Sequence, residues 1–210
     1  MNLPTKITFA RIIAIVIMIV TLFILSVIPG WHTIALGNTG INLVFLIIFI
    51  FFVLASYTDY LDGHLARKNN QVTDLGKFLD PVADKLLVNS MVIFLIVPAS
   101  YAPGQMSWSL WCAILLVARD IIVDALRFIA AQKGVVIAAN IFGKAKTVLE
   151  MIAVSLVLLN SWPFSYFDSS WPYYARISMI FVYIATAMSI ISGIIYVKQN
   201  FHVLKEKNND

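Results

Sequence analysis

Apolar positions in this chain fall in long unbroken runs rather than in alternation, a pattern of buried or lipid-facing helices and not of strands. Six runs approach the ~20 residues that span a bilayer: Ile7 to Ile28, Ile41 to Thr58, Phe78 to Val97, Trp108 to Ala131, Thr147 to Phe164 and Arg176 to Val197. Turn formers separate them, among them Pro29 with Gly30, Asn38 with Gly40, Pro98, Pro103 with Gly104, and Trp162 with Pro163. The first run is longer than a signal-peptide core, holds Arg11 near its start and lacks a small-residue cleavage pattern after it. It is therefore expected to stay as a membrane helix.

Composition sharpens this picture. Of 210 residues 60% are apolar and 12% charged, with a mean hydropathy of +0.87. A soluble domain carries about a quarter charged residues. Continuous rather than period-two runs also exclude an outer-membrane barrel. The expectation is a single membrane domain over residues 1–210, an all-α membrane protein of six transmembrane helices. The lone Cys112 forms no intrachain disulfide and reads as a small core residue.

The formal charge of +4 matters through its distribution and does not point to nucleic acid. Pro29 to Gly40, Pro98 to Ser107 and Ser161 to Ala175 contain no Lys or Arg, whereas the other side holds Lys6, Arg67, Lys68, Lys77, Lys133, Lys144, Lys146, Lys198, Lys205 and Lys207. By the positive-inside rule both termini are expected in the cytoplasm. Trp31, Tyr101, Trp108, Trp162, Tyr166 and Trp171 on the opposite side read as an interfacial aromatic belt.

Five of the eleven acidic residues fall between Asp59 and Asp84: Asp59, Asp62, Asp74, Asp80 and Asp84. Carboxylates beside apolar helices are costly and mark functional sites. If the second helix continues past Thr58, then Asp59, Asp62, Gly63 and Ala66 share one face, with Arg67 at its margin. Gly76, Asp80 and Asp84 share a face of the next helix, which Thr73 or Asp74 can cap. Four carboxylates aimed at one point repel one another, and a divalent ion relieves this most simply. An all-oxygen set without Cys or a suitable His suits Mg²⁺ or Mn²⁺ rather than Zn²⁺. Two such ions serve phosphoryl transfer. Gly63, Ala66 and Gly76 would let a nucleotide or headgroup approach the backbone, or permit tight helix packing.

Asp59-Tyr-Leu-Asp62-Gly63-His-Leu-Ala66-Arg67, eight residues, then Gly76-Lys-Phe-Leu-Asp80-Pro-Val-Ala-Asp84 resembles the signature of the CDP-alcohol phosphotransferases at all eight fixed positions. The resemblance implies an enzyme that displaces CMP from a CDP-linked alcohol by the hydroxyl of a second alcohol. Carried over, Asp59, Asp62, Asp80 and Asp84 hold two metal ions, and Asp84 also takes the hydroxyl proton. Arg67 would meet the diphosphate, and Asp62, Gly63, Ala66 and Gly76 would line the CDP pocket. The family also implies a homodimer, while the apolar runs and the distribution of cations imply a multi-pass place in the cell membrane with the active site facing the cytoplasm.

Asn2-Leu-Pro4-Thr5-Lys-Ile-Thr8-Phe-Ala-Arg11, Arg119-Asp120 with Arg127, and Gly143-Lys144-Ala-Lys146-Thr147 resemble the branch of that family whose acceptor is sn-glycerol 3-phosphate. The resemblance implies transfer of the phosphatidyl group of CDP-diacylglycerol in phospholipid biosynthesis. Thr5 would join the CDP site, and Arg119, Arg127, Lys144 and Lys146 would hold the acceptor's phosphate. Two positions depart from the branch: Asp124 stands where a small hydroxyl residue is expected, and Glu150 where Gln is expected. Inositol phosphate is the rival acceptor, since it brings a phosphate to the same cations. A divalent-cation transporter is the rival from another class, but it would want carboxylates near the bilayer midplane. His32, His64 and His202 stand apart from one another and read as non-ligands.

Overall fold

The computed structural model describes residues 3–28, 36–37, 39–68, 74–97, 102, 104–135 and 141–201, and the side chains of all of these but 3–4, 60, 62–68 and 74–78. Among the described residues the chain is helical, without strands: α1 (Leu3–Val27), α2 (Leu43–Lys68), α3 (Asp74–Phe94), α4 (Leu110–Gln132), α5 (Ile141–Leu158), a short α6 (Ser165–Asp168), a 3₁₀ turn (Tyr173–Ala175) and α7 (Ile177–Asn200). Each long helix falls on one of the six apolar runs. The departures are at their ends: α2 continues three turns beyond Thr58, and α5 starts before Thr147 and stops at Leu158. The α6 turn has no counterpart in the apolar pattern, being too short to show a period.

Among the described residues, only α1 and α7 are long and apolar enough to cross a membrane by length and composition alone. The apolar stretch of α2 ends at Asp59. Charges inside α3, α4 and α5 interrupt theirs in the same way.

The chain divides into two compact units. The first comprises Met1–Ser107 and Ser155–Ser165, and in it α1 packs on α3 and α2, and α2 on α3. Its three helices turn corresponding stripes inward: Ile15, Met18 and Leu22 of α1, Phe45, Ile48, Phe52 and Ala55 of α2, and Ala83, Leu87, Met91 and Val92 of α3 are buried. Phe45 and Phe94 meet as a tilted pair with centroids 5.9 Å apart. Helix α2 starts where the Asn42 side chain accepts the Val44 N–H at 2.9 Å. Away from the carboxylates, Asn160 ties three loop segments, its Oδ1 accepting the Met106 N–H at 3.0 Å and its Nδ2 donating to the carbonyls of Gly40 at 3.0 Å and Gly104 at 3.4 Å.

The second unit comprises Trp108–Val154 and Tyr166–Asp210, and in it α4 packs along α7. The inward stripe of α7 includes Ser178, Ala185, Thr186, Ser189, Ser192 and Gly193, small residues that let two helices approach closely. At the start of α7 the buried Asp168 accepts the Ile177 N–H at 2.8 Å, satisfying one of the donors a helix leaves open. Trp108 is 2% exposed, so it is a core side chain and not part of an aromatic belt. Trp171 and Tyr166 are exposed, as a belt requires, while Trp31 and Tyr101 lie outside the described residues. Cys112 is buried and free, and Met179 is buried.

Candidate active site

Within the first unit, each inward stripe changes from apolar to polar toward one end. On α1 the register that buries Ile15, Met18 and Leu22 continues backwards to Arg11, Thr8 and Thr5, all buried. On α2 the stripe Phe45, Ile48, Phe52, Ala55 continues in register to Asp59 and position 62. On α3 it runs back from Leu87 to Asp84 and Asp80. Because α1 packs on both other helices, the polar ends meet. Arg11 Nη1 forms an ion pair with Asp59 Oδ1, and Thr8 Oγ1 donates to Asp80 Oδ1 at 3.0 Å. One face of α1 therefore holds a carboxylate from each of the helices beside it.

Thr8 and Arg11 are the residues the carboxylate pattern alone does not single out. Their signal was present as polar residues spaced at i, i+3 and i+6 from Thr5 in an otherwise apolar helix. Asp84 is partly buried on the same α3 face and interacts with its surroundings. Pro81 stands between the two α3 carboxylates and leaves that helix one N–H donor short. The extension of α2 to Lys68 puts Asp62, Gly63, Ala66 and Arg67 on its last turns, and Gly76 lies in the first turn of α3. The side chains of Asp62, Ala66 and Arg67, and the surroundings of Gly63 and Gly76, lie outside the described residues.

Among the described residues no three His, Cys, Asp or Glu side chains form a metal-binding group. The donors nevertheless suit a hard divalent ion, since all are carboxylate oxygens. Asp59 is 39% exposed on a side otherwise buried against Arg11, which leaves the carboxylate accessible. The Arg11 guanidinium supplies part of the positive charge that such a group of acids requires.

The second unit holds a separate group of charges. Lys146, predicted as an open acceptor cation, is buried, with Nζ 3.0 Å from both oxygens of Asp120 and 2.6 Å from Glu150 Oε2. Arg119 Nη1 also meets Asp120 at 2.9 Å, while its Nε donates to the Ser189 carbonyl at 3.2 Å and its Nη2 to Ser192 Oγ at 2.6 Å. Asp120 lies in the buried stripe of α4, so its charge requires these partners. Arg127 is set apart: its Nε donates to Tyr196 Oη at 2.9 Å and its guanidinium lies 5.3 Å from the Tyr196 ring centroid. That geometry occupies one edge of the fork and places its charge within cation–π range of the ring. Lys144 is exposed at the start of α5.

Residues 1–191 match the CDP-alcohol phosphatidyltransferase family. The chain belongs to that family. Its likeness to individual members runs nearly end to end. It is 39% identical over 208 residues to the CDP-diacylglycerol–glycerol-3-phosphate 3-phosphatidyltransferase of Bacillus subtilis (strain 168), covering 99% of each chain. It is 36% identical over 197 residues to the protein of that name from Rickettsia bellii (strain RML369-C), covering 94% of each. The CDP-diacylglycerol–glycerol-3-phosphate 3-phosphatidyltransferase 2 of Arabidopsis thaliana is 31% identical over 213 residues, covering 98% of this chain and 82% of that one. A phosphatidyltransferase of a divalent-metal-dependent family of membrane enzymes accounts for buried acids and an exposed apolar surface together. Membership sets aside the cation-transport alternative.

Proposed function

We propose that this phosphatidyltransferase moves the phosphatidyl group of CDP-diacylglycerol to sn-glycerol 3-phosphate, giving phosphatidylglycerophosphate and CMP. The observation that carries the reaction class is the gathering of Asp59 and Asp80 on one face of α1 through Arg11 and Thr8. The acceptor is supported by the names of the near full-length relatives.

In this reading Asp59, Asp62, Asp80 and Asp84 hold two divalent ions, Mg²⁺ or Mn²⁺, which when bound neutralise the diphosphate. Arg67 meets the diphosphate, and Thr5, Asp62, Gly63, Ala66 and Gly76 line the CDP site. The acceptor's hydroxyl oxygen forms a bond to the phosphorus that carries diacylglycerol. The bond from that phosphorus to the oxygen shared with CMP breaks, and CMP leaves with that oxygen. Asp84 takes the hydroxyl proton. Arg127, Lys144, Lys146 and Arg119 serve the acceptor's phosphate, Arg127 through the terminal amino groups that Tyr196 leaves open.

The same reading has the six long helices crossing the cell membrane as one domain, with both termini and the carboxylates cytoplasmic, in a homodimer. The distribution of Lys and Arg supports the orientation. CMP release by purified protein, given CDP-diacylglycerol, Mg²⁺ or Mn²⁺, and sn-glycerol 3-phosphate, inositol 1-phosphate or no acceptor, tests the reaction. Release driven by glycerol 3-phosphate and lost in Asp80→Asn is expected. Release driven only by inositol phosphate would keep the reaction class and replace the acceptor.

A further inference from the structure

Glu150 is one of the two positions that depart from the acceptor pattern, and it occupies a decisive place. It is 1% exposed, one helical turn after Lys146 on α5, with its carboxylate 2.6 Å from the Lys146 ammonium. Asp120 grips the same ammonium at 3.0 Å through both oxygens. With Arg119 on Asp120, the group holds, among the described ion pairs, two cations and two anions and is formally neutral. A glutamine at position 150 would still accept a hydrogen bond from Lys146 but would leave the group one positive charge in excess. The Glu150 charge therefore has an electrostatic consequence. A phosphate monoester approaching Lys146 meets a cation already shared by two carboxylates, in surroundings where charges are weakly screened.

We propose that Glu150 sets the affinity for the acceptor: by pairing with Lys146 it competes with the acceptor's phosphate and holds affinity for sn-glycerol 3-phosphate below what Lys146 alone would confer. The inference rests on the reading of Lys146 as a cation that serves the acceptor. Glu150 acts through Lys146 and is a positioning residue, not a catalytic one. Weaker initial capture leaves more of the selection to the remaining cations, so an acceptor must engage Arg127 or Lys144 as well.

Steady-state CMP release, with each substrate varied in turn, tests this in four versions of the full-length protein: wild type, Glu150→Gln, Glu150→Asp and Lys146→Met. Glu150→Gln is expected to lower KM for glycerol 3-phosphate roughly three- to tenfold, without a matching fall in KM for CDP-diacylglycerol. Glu150→Asp keeps the charge and is expected to show no such fall, whereas a role in packing alone would make the shorter side chain the more disruptive change. Lys146→Met is expected to raise KM for glycerol 3-phosphate. If Lys146→Met raises it and Glu150→Gln fails to lower it, the reading of Lys146 stands and the proposal is overturned. A fall of equal size in Glu150→Asp also overturns it. If Lys146→Met leaves that KM unchanged, the reading of Lys146 fails and the proposal falls with it.

Discussion

Thr8 and Asp80 are 72 positions apart in sequence and joined by one 3.0 Å hydrogen bond, so a single methyl-for-hydroxyl exchange isolates what that bond does. Thr8→Val keeps shape and branching, and should cost about 1 kcal/mol of stability. It should lower kcat roughly three- to tenfold, because a carboxylate free to rotate no longer presents the same oxygen to the site. Thermal melting in detergent and CMP release check the two effects separately. Arg127 makes the complementary case. Arg127→Lys keeps the charge but loses the bond to Tyr196 Oη and the planar fork over the ring. KM for glycerol 3-phosphate should rise roughly tenfold, with KM for CDP-diacylglycerol little changed. At this scale the sequence displayed which residues matter wherever charge stood out against an apolar background. It did not display their pairing. Lys146 reads in sequence as a cation for the acceptor's phosphate, yet its two carboxylate partners come from two helices and it is buried.

Helices carry the next level of legibility. The 3.6-residue period and the expense of a charge in an apolar stripe are both local, so the carboxylate register on α2 and α3 could be read before any packing was known. The close approach of α4 and α7 could not. A Cβ added at Gly193 would lie 2.9 Å from Arg119 Cγ, in the middle of a side chain pinned at Ser189 and Ser192. Gly193→Ala should therefore cost about 1–3 kcal/mol and lower the melting temperature in detergent. Asp168 gives a second test on α7. It ends α6 and accepts the Ile177 N–H at the start of α7. Asp168→Ala should cost about 1–2 kcal/mol, without altering KM for either substrate. A change in KM would show that the residue does more than begin a helix.

Across the molecule, large apolar side chains such as Phe9, Ile17, Phe23, Ile47, Ile121 and Phe128 are exposed, while Arg11, Asp120, Lys146 and Glu150 are buried. A protein in water would reverse this arrangement. It is the distribution expected when lipid covers the outside and polar groups satisfy one another within. Reporter fusions at the amino terminus and after Phe201 should both register as cytoplasmic. One fusion on the far side would overturn the six-crossing topology. Removing divalent ions with a chelator should abolish CMP release, and adding back Mg²⁺ or Mn²⁺ should restore it.

By itself the sequence determined the order of the long helices, the place of the carboxylate face and the family, because each depends on spacing within one helix or across one short turn. Tertiary structure alone decided that Arg11 reaches Asp59, 48 positions away, and that Lys146 reaches Asp120, 26 positions away. Such pairings arise only when separate helices pack. In an apolar interior each buried charge is then held by whichever opposite charge the packing brings within reach.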